Sequence, residues 1–170
     1  GATAGRAGRS QRAGRASRGA GVGAVKFWDS SAVVPLLTRE PWTDELVSVL
    51  REDGSLLVWW GSPVECASAL SRREREGALR PEHAAEAFER LDELAKSWSE
   101  VEAGALVRES ARRFLRVHDL RAADALQLAA AFVASESRPT TLELVTLDDR
   151  LAAAAKKEGF RVFDRRSLKA

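Results

Sequence analysis

Four carboxylates occupy positions in the chain where acidic side chains can act together. Asp29, Glu65 and Asp148 each follow a short apolar run and stand at the start of a helical pattern, and Asp124 lies in an apolar helical stretch. Carboxylates that gather at one place repel one another and raise each other's pKa values, so a cluster of them reduces stability unless a cation is bound. The four positions therefore suggest a site for a metal ion.

Asp124 is the acid whose position a purely structural role explains least well. Residues 120–131 predict an apolar helix, and a 3.6-residue period places Asp124 on the same face as Leu120 and Leu128. Aspartate is a poor helix former and is costly to bury without a partner. Two explanations are open: a salt bridge or hydrogen bond, such as one with Arg121, or a cleft in which Asp124 meets other carboxylates around a metal.

The other three acids have structural explanations of their own. Asp29 and Asp148 each occupy a position typical of a helix N-cap, where aspartate is a favoured residue. Ser62 as N-cap, Pro63 at the first helical position and Glu65 three residues after the cap predict a capping box, which explains Glu65 without any function. These roles do not exclude a site, because a capping residue can also lie at the end of a strand.

The elements that must position these acids alternate between strands and helices. Short apolar runs predict strands at residues 25–28, 56–60, 142–145 and 160–163. Periodic patterns predict helices at residues 32–37, 42–51, 62–75, 81–98, 103–117, 120–131 and 150–158, with 81–98 and 103–117 forming a helical hairpin. This alternation predicts an α/β fold, in which a mostly parallel sheet of about four strands carries helices on both faces. Since ligands bind at the carboxyl ends of such strands, the acids that follow them are expected to meet there.

Composition limits both the class of protein and the kind of metal site. The 170 residues are enough for one domain with its own core, and the single cysteine, Cys66, excludes an internal disulfide and a thiolate metal cage. His83 and His118 are isolated, and we expect them to be solvated or at helix ends rather than bound to a metal. Oxygen ligands remain, and these favour hard ions such as Mg²⁺ or Mn²⁺. The chain shows no membrane span or secretion signal, so we expect a cytoplasmic location.

Residues 1–24 consist almost entirely of Gly, Ala, Ser and Arg, and their arginines make the net charge of the chain positive. Without their five arginines, the body carries 22 basic and 25 acidic residues, a net charge of −3. This composition cannot form a packed core, so we interpret residues 1–24 as a disordered tail, either a remnant of expression or upstream translated sequence. Residues 25–170 are then expected to form one domain. If the tail is natural, it adds salt-dependent binding to phosphate groups.

Four segments of the body together resemble the PIN-domain nucleases, and among these the VapC-like toxins of bacterial toxin–antitoxin pairs. They are Asp-Ser-Ser-Ala at 29–32, Ser-Pro-Val-Glu at 62–65, Arg-Ala-Ala-Asp-Ala-Leu-Gln-Leu-Ala at 121–129 and Thr-Leu-Asp at 146–148. Each segment is weak alone, but their order and spacing are specific, and the resemblance extends from Val25 to about Phe163. The chain departs from the family at Gln127, where the family often has His, and at Asp149, a second acid beside Asp148. We interpret the first departure as peripheral, while the second leaves two candidates for one role.

The resemblance implies a PIN-like three-layer sandwich and a Mg²⁺- or Mn²⁺-dependent endoribonuclease that acts as the toxin of such a pair. The metal would lower the pKa of a bound water, direct the resulting hydroxide at a phosphodiester and neutralise charge on the leaving oxygen. The implied partners are an RNA substrate, a cognate antitoxin protein and a second copy of the chain. By position, the catalytic residues would be Asp29, Glu65, Asp124 and Asp148, with Asp29, Asp124 and Asp148 as metal ligands and Ser31 and Thr146 as supports.

Two other functions are open at this point. A catalytically inactive PIN-like module could bind RNA or an antitoxin, although the complete set of acids argues against it. A phosphoacceptor domain of the receiver type also gathers acids at strand ends. That class needs a lysine directly after a late strand, and none of Lys156, Lys157 and Lys169 stands in such a position.

Overall fold

Within residues 25–169, which a computed structural model describes, five short strands form one fully parallel sheet. The tail predicted at residues 1–24 lies outside the described residues. In chain order the strands are β1 (Lys26–Trp28), β2 (Leu56–Trp59), β3 (Ser99–Val101), β4 (Glu143–Val145) and β5 (Arg161–Phe163). In space their order is β3-β2-β1-β4-β5, and each neighbouring pair is parallel.

Helices connect these strands and cover both faces of the sheet. In the same part of the chain they are α1 (Ser30–Leu37), α2 (Thr43–Asp53), α3 (Ser62–Arg75), α4 (Pro81–Ala95), α5 (Ala105–Val117), α6 (Ala122–Ala134) and α7 (Asp149–Lys157). Short 3₁₀ turns lie at Pro139–Thr141 and Ser167–Lys169. None of the helices in residues 25–169 combines the length and the apolar character needed to cross a membrane.

Two hydrophobic cores lie on opposite faces of the sheet, because neighbouring residues of a strand point in opposite directions. Phe27 packs in one core with residues of α5, α6 and α7, among them Phe114 and Leu128. Trp28 packs in the other core with residues of α1 to α4, among them Leu70. The predicted α/β sandwich, with a parallel sheet between two helical layers, is confirmed.

Strand β3 was not predicted, and it changes the arrangement of the helices around it. Ser99 and Glu100 are exposed and β3 lies at the edge of the sheet beside β2, so the segment shows no apolar run in the sequence. The sheet therefore has five strands in the described residues rather than about four. The predicted hairpin of α4 with α5 is wrong, because β3 separates them: α4 packs against α3 on one face, and α5 packs against α6 on the other.

The carboxyl edge of the sheet brings together the starts of several helices. The backbone N–H of Asp29 donates to the carbonyl oxygen of Val145 at 3.0 Å, which continues the pairing of β1 with β4 by one step. This bond places Asp29 beside Thr146, although 117 positions separate them in the chain. Helix α6 packs against β2 and β3, with its first turn near the same edge.

Candidate active site

Asp29 is a buried carboxylate at the junction of β1 and α1. It is the N-cap of α1, and its Oδ2 accepts hydrogen bonds from the backbone N–H of Ser31 at 3.2 Å, from the Ser31 hydroxyl and from the Thr146 hydroxyl at 2.9 Å. The pKa of Asp29 is raised to about 6, and burial is the largest cause. The bonds from Ser31 and Thr146 lower this pKa, and the charge of Glu65 raises it. Among the described residues, all hydrogen bonds to this carboxylate end on Oδ2, and Oδ1 accepts none.

Thr146 connects the junction after β1 to the junction after β4. Its hydroxyl donates to Asp29 and accepts the backbone N–H of Asp148 at 3.0 Å. The Ser31 hydroxyl makes a parallel connection, since it donates to Asp29 and accepts the backbone N–H of Leu147 at 2.9 Å. The two hydroxyls that the sequence offered as supports therefore fix the position of Asp29 relative to the loop that carries Asp148.

Asp148 and Asp149 lie in different environments. Asp148 is half-buried and is the N-cap of α7, with its Oδ1 accepting the backbone N–H of Leu151 at 2.7 Å. Asp149 is the first residue of α7; it is exposed and lines a separate cavity of about 440 Å³ together with Lys156 and Asp164. The charge of Asp148 raises the pKa of Asp124. Asp148, rather than Asp149, is thus the acid whose charge acts on Asp124 and whose backbone N–H bonds to Thr146.

Glu65 is held by side chains from two other helices. Ser30 donates to its Oε2 at 2.7 Å, and Gln127 donates to the same oxygen at 3.0 Å. The predicted capping box is wrong: Gly61 is the N-cap of α3, and Ser62 is a buried first residue of the helix that forms no cap bond. Burial raises the pKa of Glu65 and the charge of Asp124 raises it further, while the bonds from Gln127 and Ser30 lower it. Glu65 is therefore free of the structural role that its sequence position suggested.

Asp124 lies in the first turn of α6 rather than in the middle of a helix, because α6 begins at Ala122. An acid in this position is favoured by the helix dipole. Its Oδ2 accepts the backbone N–H of Arg121 at 3.4 Å, and the two side chains form no ion pair within 4.0 Å. Burial raises the pKa of Asp124, as does the charge of Asp148, whereas Arg121 and Arg150 lower it. The direct contact with Arg121 is a hydrogen bond from its backbone, and the charges of Arg121 and Arg150 offset only part of the rise in the Asp124 pKa.

Asp29, Glu65, Asp124 and Asp148, here called the four-acid group, influence one another through their charges. Glu65 raises the pKa of Asp29, Asp124 raises that of Glu65, and Asp148 raises that of Asp124. Within residues 25–169, none of the four lies within 4.0 Å of a side-chain nitrogen of lysine, arginine or histidine. An oxygen donor set without a basic partner suits a hard divalent cation. The described side chains nevertheless do not bring three such ligands together around one point.

Comparison with known proteins identifies the family. The profile of the PIN domain matches residues 26–157, which is most of the chain. The chain belongs to the PIN-domain family. PIN domains are generally nucleases and typically use divalent metals. The resemblance to the PIN-domain family, drawn from four short segments of sequence, is thereby confirmed.

The fold of this PIN domain is similar to that of solved structures. The crystal structure of PAE2754 from Pyrobaculum aerophilum has 25% sequence identity and a TM-score of 0.59, over 85% of this chain and 93% of that chain. The crystal structure of FitAcB from Neisseria gonorrhoeae has 16% identity and a TM-score of 0.57, over 82% of this chain and 96% of that chain, and at this identity the likeness concerns the fold alone. A search of curated proteins finds no match.

Gln127 is a residue of this PIN domain with a larger role than its sequence position suggested. The side chain is fully buried; besides Glu65, its Nε2 lies 3.4 Å from the hydroxyls of Ser30 and Ser62. Its Oε1 is buried and has no hydrogen-bond partner among the described residues. The interpretation of Gln127 as peripheral is wrong, because the residue contacts an acid of the four-acid group. A signal was present in the sequence: Gln127 is three residues after Asp124, a spacing that places both on one side of a helix.

Cys66 lies next to Glu65 in the chain but takes no part in this chemistry. The side chain is fully buried in the core beneath α3. Burial raises the pKa of the Cys66 thiol to about 12, and the charges of Asp29 and Glu65 raise it as well. A thiol with such a pKa is protonated at neutral pH and is a poor nucleophile.

Proposed function

We propose that this PIN domain is a Mg²⁺- or Mn²⁺-dependent endoribonuclease that hydrolyses RNA phosphodiester bonds as the toxin of a toxin–antitoxin pair. The observation that carries the proposal is the four-acid group, in which three carboxylates have raised pKa values and none of the four forms an ion pair with a basic side chain of the described residues. A protein retains such mutual repulsion where function requires it. Membership of a family of nucleases makes phosphodiester hydrolysis the reaction that fits these residues.

Asp29, Asp124 and Asp148 are the residues that would hold the cation. When bound, a hard divalent cation supplies charge neutralisation at the scissile phosphate and lowers the pKa of an attacking water. Ser31 and Thr146 donate to Oδ2 of Asp29, and Oδ1, which accepts no hydrogen bond from the described residues, is the oxygen that we assign to the cation. Oδ1 of Asp148 caps α7, and its Oδ2 accepts no hydrogen bond from the described residues.

Glu65 is the residue that we assign to the attacking water. Its Oε2 accepts both hydrogen bonds that hold the side chain, so Oε1 is the oxygen that can orient a water molecule and accept its proton. A carboxylate with a raised pKa is better suited to accept a proton near neutral pH than one with an ordinary pKa. Burial and the charge of Asp124 provide that raised pKa.

The toxin assignment rests on the four segments of sequence that resemble VapC-like proteins. It implies a homodimer and a small antitoxin protein that occupies the site until it is removed. Co-expression with the product of the neighbouring gene tests it: a toxin is expected to arrest growth alone and to be harmless in the pair. Absence of growth arrest on expression alone, with RNA cleavage intact in vitro, would leave a nuclease without a toxin role.

The experiment that tests the catalytic proposal is cleavage of a labelled RNA in Mg²⁺ or Mn²⁺ by the wild type and by Asp124→Asn. We expect the wild type to cleave and the variant to be inactive. Asp119→Asn is a matched control, since Asp119 is an exposed aspartate only five positions away. Binding of RNA without cleavage by the wild type would favour the alternative, an inactive module that binds RNA or an antitoxin.

A further inference from the structure

Trp60 is a large aromatic residue that neither core contains. It follows the last residue of β2, and it is 56% exposed. In residues 25–169, it is the one aromatic residue among the exposed large hydrophobic side chains. The neighbouring Trp59 is 6% exposed and packs in the core, so the two tryptophans have different roles.

Both the backbone and the ring of Trp60 contact neighbouring residues. Its backbone N–H donates to the carbonyl oxygen of Val101 at 3.0 Å, which extends the pairing of β2 with β3. Its ring contacts that of Trp59 edge-to-face, with 6.2 Å between centroids and 71° between planes. Gly61 has no side chain, and a Cβ there would lie 2.4 Å from Nε1 of Trp59. Glycine therefore permits Trp59 to lie against the turn, where its ring contacts that of Trp60.

Trp60 stands at the edge of the sheet where the four-acid group lies. The turn that begins at Trp60 leads directly into α3, and Glu65 is in the first turn of that helix. Val64, the residue before Glu65, is 70% exposed and adds a second apolar side chain to the same region. An exposed ring in contact with Trp59 thus lies in the turn that leads to the acid that we assign to the attacking water.

We propose that Trp60 stacks on a nucleobase of single-stranded RNA next to the bond that is cleaved. This inference rests on the proposed function. The acids of the site repel RNA phosphates, and residues 25–170 have a net charge of −3, so an uncharged contact would add affinity that the net charge of these residues does not supply. Stacking supplies such a contact because every base has a flat apolar face. A rigid ring also loses little conformational freedom on binding.

The test compares Trp60→Ala and Trp60→Phe with the wild type. Affinity is measured with a fluorescently labelled single-stranded ten-nucleotide RNA in EDTA, and kcat and KM are measured with the same RNA in Mn²⁺. We expect Trp60→Ala to weaken binding and raise KM about tenfold or more with little change in kcat, and Trp60→Phe to retain most of the affinity. Leu106→Ala is the control, because Leu106 is 67% exposed on α5 and is expected to have no effect.

Three results would overturn the inference while the proposed function stands: equal affinity of Trp60→Ala and wild type, an equal loss in Leu106→Ala, or an equal loss in Trp60→Phe. Weaker binding of Trp60→Ala to the neighbouring gene's protein, with RNA affinity unchanged, would assign Trp60 to a protein interface instead. Failure of the wild type to cleave any RNA in Mn²⁺ would contradict the proposed function itself. The circular dichroism and melting temperature of each variant show whether it is folded.

Discussion

The hydroxyl of Thr146 donates to Oδ2 of Asp29 at 2.9 Å and accepts the backbone N–H of Asp148 at 3.0 Å. One buried side chain therefore holds a carboxylate from the first strand and the loop after the fourth strand in a fixed relationship. Without it, the relative position of the two acids would depend on the pairing of β1 with β4 and on the Ser31 hydroxyl, which bonds to Asp29 and to the backbone N–H of Leu147. The hydroxyl also stabilises the charged form of Asp29, since it lowers the pKa of that carboxyl.

Replacement of Thr146 by valine tests this relationship, because valine keeps the shape and removes the hydroxyl. We expect the free energy of unfolding to fall by about 1–3 kcal/mol, as a buried carboxylate and a backbone N–H lose a partner. The pKa of Asp29 should rise further, so the acidic limb of the pH–activity profile should move to higher pH. Thr141→Val is the control, since Thr141 is exposed and bonds only to a local carbonyl. An unchanged pH profile in Thr146→Val would contradict this account of the hydroxyl.

The raised pKa of Asp29 predicts how stability depends on pH when no metal is present. The pKa is about 6 in the folded protein against an ordinary 3.8. The folded state therefore binds the proton more tightly, so this contribution is complete below about pH 4 and is lost as pH rises through about 6. The loss is on the order of 3 kcal/mol for a group this deeply buried. Denaturant titrations at pH 4 to 8 in EDTA measure it.

Asp29→Asn should remove this pH dependence while keeping the cap, because asparagine is also a favoured N-cap residue. We expect the variant to be inactive towards RNA yet as stable as the wild type, or more stable, at pH 7. Asp53→Asn provides the contrast. Asp53 is fully buried, and its two oxygens accept the backbone N–H of Lys26 and the indole N–H of Trp28, so an amide nitrogen there should destabilise the protein by about 1–3 kcal/mol. A comparable loss of stability in both variants would make Asp29 a structural residue.

Metal binding should appear as stabilisation of the wild type. A cation that binds only the folded state raises the free energy of unfolding by about 2.7 kcal/mol at a hundred times its Kd. We expect Mn²⁺ to raise the melting temperature of the wild type and of Asp119→Asn, and to have little effect on Asp124→Asn. Asp124→Asn in EDTA should melt close to the wild type, because loss of a helix N-terminal charge is offset by relief of the repulsion from Asp148. Equal shifts by Mn²⁺ in all three proteins would place the cation elsewhere.

Residues whose roles depend on neighbouring positions in the sequence were predicted well. Asp29 and Asp148 are both N-caps at strand ends, because the apolar run before each and the helix after each are local features. The parallel order of the sheet also followed from the alternation of elements. Strand β3 was missed because an edge strand with two exposed polar residues does not need an apolar pattern.

Residues whose roles depend on distant contacts could not be assigned from the sequence. Ser62, Pro63 and Glu65 have the pattern of a capping box, yet Glu65 bonds to Ser30 and Gln127, which are 35 and 62 positions away. Glu65 forms these tertiary hydrogen bonds, and the local capping box does not form. The sequence can show that an acid suits a cap, but it does not show that a buried amide from another helix holds that acid instead.

Gln127 provides the last prediction, since its side chain holds Glu65 and leaves its own Oε1 buried without a partner among the described residues. An unsatisfied buried acceptor reduces stability by about 1–3 kcal/mol. Gln127→Leu removes both the acceptor and the bond to Glu65 at similar volume. We expect its melting temperature in EDTA to match or exceed that of the wild type, and its kcat to fall at least tenfold because Glu65 is no longer held in place.

Gln127→His should recover part of this activity, because an imidazole N–H can donate to Glu65 from the same position. Ser135→Ala serves as the control for a buried polar residue that does not contact the four-acid group, since Ser135 is the C-cap of α6 and its hydroxyl bonds to the carbonyl of Phe132. It should lower stability and leave kcat unchanged. If Gln127→Leu instead loses stability and keeps its kcat, Gln127 is a packing residue and Glu65 is positioned by Ser30 alone.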